Sequence, residues 1–344
     1  MFRSLILAAL LPAISAAQVT QFQLPTENEH LFTGEPEKFY MYVDRNFEGV
    51  ASKPWEGGSF GLVRNPIRVG GNVEYLQIHE GIDIAPIKRD KAGNPLDLVM
   101  SIADGTVVHL SDSPGRSNYG RYIVVAHPID ASGNVVHSLY AHLARASVKP
   151  GDTVKRGSVL GQMGYTGAGI NRTRAHVHLE LGLLMSPRFD GWIRSYGGGT
   201  NHHGNYNGMN LIGMDVARFL TEQRANPQLS VTEFVRKSPA YFKVTIPRNG
   251  SLDFANLHPW LVYGELSRPG PSWEISFTDT GLPTGITVSQ RKVSTPIVSA
   301  VRDAKTPHRY LTRGLLSGEG KTATLSSSGK KLVALIAGSF PDPR

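Results

Sequence analysis

The run AHVHLEL, residues 175–181, places two histidines two positions apart in an otherwise apolar stretch. In a β-strand, residues i and i+2 point to the same face, with a rise of about 3.3 Å per residue. His176, His178 and Glu180 therefore share one face of the predicted strand, and the opposite face is apolar. Two imidazoles on one face need a partner, and a metal ion is one such partner.

Two other short runs carry residues of the same chemical kind. HEGID, residues 79–83, has His79 and Asp83 four positions apart, and SLYAHL, residues 138–143, contains His142. Taken alone, each run has a structural explanation, since a pair such as His79 and Asp83 could be two solvated loop residues. Together the three runs supply the parts of a catalytic zinc site, which needs three nitrogen or oxygen ligands and an open position for water.

The elements that must position these residues are predicted to be β-strands. Glycine and proline punctuate the strand-like runs between residues 76 and 184 at turn positions. The close spacing, without long helices between the runs, favours an antiparallel β-sandwich or barrel-like domain in a mainly β protein. Residues 186–210 predict an irregular loop, and MDVARFLTEQ (214–223) predicts a short closing helix. A second small β-domain is predicted from the runs YFKVTI, PWLVYGEL, WEISFT, GITVSQ and KLVALIAG.

Length and composition limit the classes of protein that the sequence allows. A chain of 344 residues is long enough for about two domains. The hydrophobic fraction of 40% and the charged fraction of 19% are typical of a folded globular protein. The chain has no cysteine, so disulfides, cysteine nucleophiles and thiolate metal sites are excluded. Any metal must be held by nitrogen and oxygen ligands.

The first residues of the chain have the order of a secretory signal. Arg3 precedes the apolar run LILAALLPAI, and the small residues 15–17 precede the polar Gln18. The run is too short to span a bilayer, and no later run reaches that length. We therefore predict a signal peptide and an exported protein, periplasmic or extracellular.

Four segments follow from these patterns. They are a signal peptide (1–17), an N-terminal extension (18–58), a β-rich domain that carries the three runs (59–225) and a basic, β-rich C-terminal domain (226–344). The C-terminal segment contains 15 Lys and Arg against 8 Asp and Glu, and the whole chain has a net charge of +8. This surplus predicts either a contact with an anionic wall polymer or solubility alone. No Lys/Arg cluster marks a nucleic-acid patch, so we expect no nucleic-acid partner.

In their order along the chain, the three runs resemble the LytM/lysostaphin-type zinc endopeptidases, which cut peptide cross-links in bacterial peptidoglycan. The run VKPGDTVKRGSVLGQMGYTG, residues 148–167, also resembles the corresponding run of that family. The resemblance covers residues 59–185 and implies the family's duplicated hybrid motif fold. It also implies that the domain of residues 59–225 is a zinc metallopeptidase domain. It does not reach the C-terminal segment, for which the charge balance predicts a positioning role without a part in the chemistry.

The resemblance implies roles for five residues. It makes His79, Asp83 and His178 the ligands of one zinc ion per chain, and His142 and His176 the catalytic histidines. It implies an exported endopeptidase that hydrolyses peptide cross-links with zinc-activated water, with peptidoglycan peptide stems as its partner. Of the two histidines, His142 is expected to accept the proton, and the sequence leaves the reverse assignment open.

Other interpretations stay open at this stage. One is a non-catalytic wall-binding or amidase-regulating protein of the same fold, although the intact set of ligands favours an enzyme. Another is a biotinyl or lipoyl carrier domain, since GDTVKRGSVLGQ resembles a carrier hairpin; that interpretation leaves the histidines unexplained. Glu180 is expected either to orient a ligand histidine or to be an exposed charge. His202 and His203 are expected to border a substrate groove or to be plain loop residues.

Overall fold

The computed structural model describes residues 19–340, so the predicted signal peptide lies outside the described part of the chain. Residues 19–60 run along the strands that follow them, and the N–H of Met41 donates to the carbonyl of Asp83 at 2.8 Å. Within residues 19–340 no helix combines the length and the apolar character needed to cross a bilayer. The first elements are α1 (His30–Thr33), α2 (Pro36–Phe39), β1 (Arg45–Phe47), β2 (Val50–Ser52) and the long hairpin of β3 (Gly61–Val69) and β4 (Asn72–His79).

Two antiparallel sheets form the central part of the molecule. The larger sheet has the order β11-β7-β8-β9-β13-β14, with β5 also paired to β13, and the smaller has the order β10-β12-β6. The elements are β5 (Ile82–Ile84), β6 (Leu98–Met100), β7 (Gly105–Ser111), β8 (Tyr122–Pro128), β9 (Val135–Ala141), β10 (Leu143–Ala146), β11 (Thr153–Val154), β12 (Val159–Met163), β13 (Val177–Leu184), α3 (Phe189–Ser195), β14 (Leu211–Gly213) and α4 (Val216–Ala225).

The two sheets pack on one core, and neither closes into a barrel. Val99 and Leu160 of the smaller sheet lie in the same buried cluster as Ile123 and Val177 of the larger one. This arrangement confirms the predicted mainly β, antiparallel architecture. The predicted closing helix is present as α4, but the segment predicted as an irregular loop contains α3 as well as two short 3-10 turns.

The C-terminal part contains an antiparallel sheet of order β17-β16-β15-β18, a short β19–β20 pair and four helices. The sheet confirms the predicted additional β-domain, although the same part of the chain also contains helices. The elements are α5 (Val231–Lys237), β15 (Phe242–Pro247), α6 (Asp253–Leu257), β16 (Ser272–Phe277), β17 (Pro283–Ser289), β18 (Ile297–Val301), α7 (His308–Leu311), β19 (Leu316–Ser317), β20 (Thr324–Leu325) and α8 (Ser327–Ala337).

Two of the strands predicted in this part are wrong. KLVALIAG lies in α8, whose first turn is capped by the Ser326 side chain and which ends at Gly338 in the left-handed conformation. Its buried residues include Gly329, Val333 and Ile336, a helical spacing that a short apolar run does not reveal. PWLVYGEL forms a 3-10 turn at its start and a single bridge at Val262, because its proline and glycine interrupt a ladder.

The central and C-terminal parts share their packing. One buried cluster contains core residues of both, from Val177 in β13 to Ile336 in α8. The indole N–H of Trp192 in α3 donates to the carbonyl of Lys331 at 2.9 Å. The Nε2 of His258 lies 2.8 Å from the carbonyl of Leu184, at the end of β13. The C-terminal part is therefore packed directly against the end of β13, the strand that carries His178.

Three buried histidines make the fold sensitive to acid. His127 in β8 has no exposed surface, and its ring nitrogens lie 2.8 Å from Asp104 O and 2.7 Å from Ser138 Oγ. Burial lowers the pKa of His127 to about 4. Burial also lowers the pKa of His137 to about 3 and that of His258 to about 4. Each ring is therefore neutral in the folded protein at pH values where an unfolded histidine is charged.

We expect the free energy of unfolding to fall as the pH falls from about 6.5, where unfolded histidine titrates, towards about 4. The stability from neutral His127 is fully present above that window, and its loss should reach about 3 kcal/mol, at about 1.4 kcal/mol per pKa unit. Urea denaturation across the window should show a flatter pH dependence in His127→Gln. The exposed His202→Gln is the control and should keep the wild-type slope; an unchanged slope in His127→Gln would contradict the assignment.

Candidate metal centre

Three side chains with metal-binding groups meet where β4, β5 and β13 come together. His79 is the last residue of β4, Asp83 lies in β5, and His178 lies in β13. The antiparallel pairing of β5 with β13 places Asp83 directly opposite His178. Gly81, between the two ligand-type residues of the HEGID run, leaves room for this pairing because a Cβ there would lie 2.2 Å from the carbonyl oxygen of Leu179.

The ligand-type atoms of these three residues converge on one point. His79 Nε2 lies 3.0 Å from Asp83 Oδ1 and 3.0 Å from His178 Nδ1, and His178 Nδ1 lies 2.9 Å from Asp83 Oδ1. All three side chains are buried. Two imidazole nitrogens and a carboxylate oxygen form a donor set that suits zinc, and they leave a coordination position open.

Contacts on the outer side of each imidazole decide which nitrogen faces the cluster. His79 Nδ1 lies 2.8 Å from the carbonyl oxygen of Ser59, which can only accept, so this nitrogen carries the hydrogen. His178 Nε2 likewise donates to Glu180 Oε1 at 2.9 Å. His79 Nε2 and His178 Nδ1 are thus the nitrogens left to bind a cation, and the residues fit a metal at this place.

The carboxylates around the cluster are held by residues that the sequence analysis did not identify. Arg64 in β3 donates to Asp83 Oδ2 at 2.6 Å, which turns Oδ1 towards the two imidazoles. Tyr119 donates its hydroxyl to Glu180 Oε1 at 2.6 Å. The expectation that Glu180 contacts a ligand-type histidine therefore agrees with the geometry, and the alternative of an exposed Glu180 does not.

The electrostatics of the cluster favour one positive charge at its centre. Burial lowers the pKa of His79 to about 4. Burial also opposes charge on His178, but its hydrogen bonds to Asp83 and Glu180 raise the pKa of this ring to about 9. Burial opposes the ionisation of Asp83 as well, yet His176 and His79 hold the pKa of its carboxyl well below the usual range. A proton on His178 or a metal cation can supply this charge.

His142 and His176 lie beside the cluster, with their ring centroids 4.7 Å apart. His142 Nδ1 lies 2.8 Å from the Thr166 carbonyl, and His176 Nδ1 lies 2.6 Å from the Arg174 carbonyl. These contacts place a hydrogen on Nδ1 in both rings, so that Nε2 of each ring is the nitrogen left for a further partner. His176 Nε2 is 3.3 Å from Asp83 Oδ1 and has no hydrogen-bond partner in residues 19–340. Burial, together with the nearby rings of His176 and His178, lowers the pKa of His142 well below its ordinary value.

The backbone at His142 is strained in a way that no sequence pattern showed. Its φ is 62°, in the left-handed region that non-glycine residues rarely adopt, at the junction of β9 and β10. Such conformations cost about 1–3 kcal/mol and gather at functional sites. Gly164 makes room next to this junction, since a Cβ there would lie 2.3 Å from the backbone nitrogen of Ala144.

An open groove of about 570 Å³ runs over the cluster and both neighbouring histidines. His203 lies in its lining, with Nδ1 2.8 Å from the Tyr122 hydroxyl, whereas His202 is exposed and not part of the lining. None of residues 19–58 is among the described residues that line this groove. The C-terminal part supplies one lining residue, Arg313, which the sequence analysis did not identify.

Residues 77–187 match the model of peptidase family M23, and this stretch contains the whole cluster and both neighbouring histidines. We call residues 77–187 the M23 segment. This finding confirms the family that the three runs resemble. Outside the M23 segment, the same site uses Arg64 and Ser59 from the preceding residues and Arg313 from the C-terminal part.

Curated relatives match over a similar stretch. The M23 segment is similar to an uncharacterised metalloprotease from Haemophilus influenzae, with 32% identity over 117 residues, which are 34% of this chain and 21% of that protein. It is also similar to the peptidoglycan DD-endopeptidase ShyA from Vibrio cholerae, with 36% identity over 118 residues, 34% of this chain and 23% of that protein. The chain thus spans about a fifth to a quarter of the length of these relatives.

Among solved structures, the catalytic domain of lysostaphin from Staphylococcus simulans is similar at 23% identity. The similarity covers 47% of this chain and 88% of that one, with a TM-score of 0.29.

Proposed function

We propose that the protein is an exported, zinc-dependent endopeptidase that hydrolyses peptide cross-links of bacterial peptidoglycan. The observation that carries the proposal is the convergence of His79, Asp83 and His178 within an M23 segment, at the floor of an open groove. The similarity to ShyA, a peptidoglycan DD-endopeptidase, supports peptidoglycan as the substrate. The signal-like order of residues 1–17 supports export, and the positive charge of residues 226–344 supports an added contact with anionic wall polymer.

In this proposal His79, Asp83 and His178 would hold one zinc ion per chain. When bound, zinc acts as a Lewis acid that lowers the pKa of water and polarises a carbonyl group. The protein residues around it keep the ligands in place. Arg64 fixes the orientation of the Asp83 carboxylate, and Glu180 fixes the His178 ring by accepting its Nε2 hydrogen.

We assign proton transfer to His142. Its Nδ1–H donates to the Thr166 carbonyl, so its Nε2 presents a lone pair towards the groove. Its lowered pKa keeps the ring neutral near pH 7, which is the state that accepts a proton. To His176, whose Nε2 lacks a hydrogen-bond partner among the described residues, we assign a hydrogen bond to the developing oxyanion of the reacting carbonyl group. Nε2 donates this bond when the ring carries a second hydrogen.

Digestion of purified peptidoglycan tests the proposal. We expect the mature wild-type protein to release muropeptides whose mass spectra show a hydrolysed peptide cross-link and uncut glycan strands. His142→Ala and His176→Ala should each lower the rate by about 10²-fold or more, which is the usual contribution of a general base or an oxyanion donor. Both variants should keep their zinc, because neither residue belongs to the three-ligand cluster.

The matched control is His137→Ala, which removes a buried histidine that does not line the groove. A zinc-loaded wild-type protein that binds sacculi without releasing any muropeptide would favour a non-catalytic wall-binding or amidase-regulating protein. Near-normal hydrolysis by both His142→Ala and His176→Ala would contradict the roles assigned to them.

A further inference from the structure

Three arginines line the groove, and their partners differ. Arg64 donates to Asp83, and Arg174 donates to the Tyr42 carbonyl at 3.2 Å, so both guanidinium groups are already engaged. Arg313 has no side-chain hydrogen bond and no ion pair within residues 19–340, although its side chain is partly buried. A guanidinium group with five N–H donors is thus left facing the space above the cluster.

The loop that carries Arg313 is firmly anchored. Arg313 follows α7, and the ring nitrogens of His308 in that helix lie 2.9 Å from the Tyr241 hydroxyl and 3.0 Å from the Gly320 carbonyl. The Thr306 hydroxyl, just before α7, donates to Glu74 of β4 at 3.2 Å. The loop is therefore tied both to the C-terminal sheet and to the strand that ends at His79.

The backbone of Arg313 is itself strained. Its φ is 47°, in the left-handed region, where a glycine would cost less. The residue that follows is Gly314, with a φ of 75°, so two consecutive residues are left-handed and the arginine is the first of them. A large side chain in such a position is typical of a functional constraint.

The chemistry of the free guanidinium selects its partner. A partly buried cation without an acceptor gains most from a carboxylate, which can accept two parallel N–H bonds. Glu80 lines the same groove and offers a carboxylate of the protein itself. Glu80 and Arg313 nevertheless form no ion pair within 4.0 Å among the described residues, so the guanidinium can accept another partner.

We propose that Arg313 binds a free carboxylate of the peptide substrate, so that the C-terminal part completes the substrate-binding groove of the M23 segment. The proposal rests on the proposed function, because it takes the occupant of the groove to be a peptide. In a wall peptide the carboxylate has two sources, the C-terminus of a stem and the free carboxyl of a diamino acid. Both present the same chemistry to the guanidinium.

Binding measurements on the full-length protein test this role without requiring turnover. The probe is a synthetic stem-peptide dimer joined through a diamino acid, prepared with free carboxylates, with an amidated C-terminus, or with an amidated diamino-acid carboxyl. In the His142→Ala background, calorimetry should show about ten-fold weaker binding of one amidated peptide, as expected for a lost charged hydrogen bond. The peptide that loses affinity identifies the source of the carboxylate.

Arg313→Gln, added to His142→Ala, should bind all three peptides equally weakly. Their affinity should equal the reduced affinity of the His142→Ala protein for the amidated peptide that it binds less well. Arg291→Gln removes an equal charge from an exposed position of the C-terminal part and should leave the ranking unchanged. If Arg313→Gln keeps the preference for the free carboxylate, the proposal is wrong. It is also wrong if Glu80→Gln added to Arg313→Gln restores the preference, since Arg313 would then only balance Glu80.

Failure of the proposed function gives a different result. A protein that releases no muropeptide but shows the Arg313-dependent ranking would be a peptide-binding protein, and the assignment of Arg313 would stand. A protein that cleaves cross-links while binding the three peptides equally well would remain an endopeptidase, and the assignment of Arg313 would fall.

Discussion

Replacing any one of His79, Asp83 and His178 by alanine should remove the zinc and reduce hydrolysis of a peptide cross-link to the level of the reaction without enzyme. The ligand-type atoms of the three residues lie 2.9–3.0 Å from one another, and each residue supplies one of the three donor atoms. With only three protein ligands, the loss of one leaves a pair that holds the metal much more weakly. Metal analysis of the purified variants, alongside a peptide assay, measures both effects.

The matched control for these variants is His203→Ala. His203 lines the same groove, but its Nδ1 is engaged by the Tyr122 hydroxyl and it is not part of the three-residue cluster. The control should keep one zinc per chain. If the His178→Ala protein still contained one zinc per chain, His178 would not be a ligand. The inference that its Nδ1 binds the metal would then be wrong.

Removing Arg64 should have a milder effect on the same site, because Arg64 orients Asp83 without belonging to the cluster. This contact shows what the sequence could and could not predict. The HEGID and AHVHLEL runs lie on strands that pair directly, so that local spacing brings Asp83 next to His178. Arg64 reaches Asp83 from another hairpin, and Arg313 reaches the groove from the C-terminal part. Neither contact leaves a local pattern in the sequence.

Prediction of the fold was likewise limited to what a local run of sequence reveals. The alternation in AHVHLEL predicted β13 because its apolar side faces the core, where Val177, Leu179 and Leu181 are fully buried. The prediction of a strand for KLVALIAG was wrong because a short apolar run fits a buried helix as well as a strand. The cap at Ser326, which marks the start of the helix, lies outside the run. The strained φ of His142 depends on the junction of two strands in different sheets, which no single run of sequence describes.

Truncation after residue 225 should abolish hydrolysis even of a small soluble cross-link peptide. The charge balance alone predicts the opposite, a positioning segment that the M23 segment does not need. In the structure, however, the core is shared, and His258 contacts the carbonyl of Leu184 on the strand that holds His178. Exposing a buried Val, Leu, Ile or Phe side chain costs about 1.5–3 kcal/mol, so a few such residues exceed the stability of a typical domain.

The truncated chain and the full chain should be compared by thermal unfolding, zinc content and peptide hydrolysis. Because a truncated chain that fails to fold says little about function, the full-length variant Trp192→Phe provides a graded test. It keeps the aromatic ring in α3 but removes the N–H that donates to the Lys331 carbonyl. We expect this variant to unfold at a lower temperature and to retain hydrolysis while it is folded.

The salt dependence of binding to sacculi distinguishes a docking role of the C-terminal part from a role in supporting the fold. Exposed charges are screened beyond about 8–10 Å at physiological ionic strength, so binding through its surplus positive charge should weaken as salt is raised. Pelleting with sacculi over a salt series measures this contact in the full chain. If the truncated chain is folded, zinc-loaded and fully active on the small peptide, and only its salt-sensitive pelleting is lost, the C-terminal part serves for docking alone. Loss of fold and hydrolysis together would instead show that the M23 segment needs this part to hold its groove in shape.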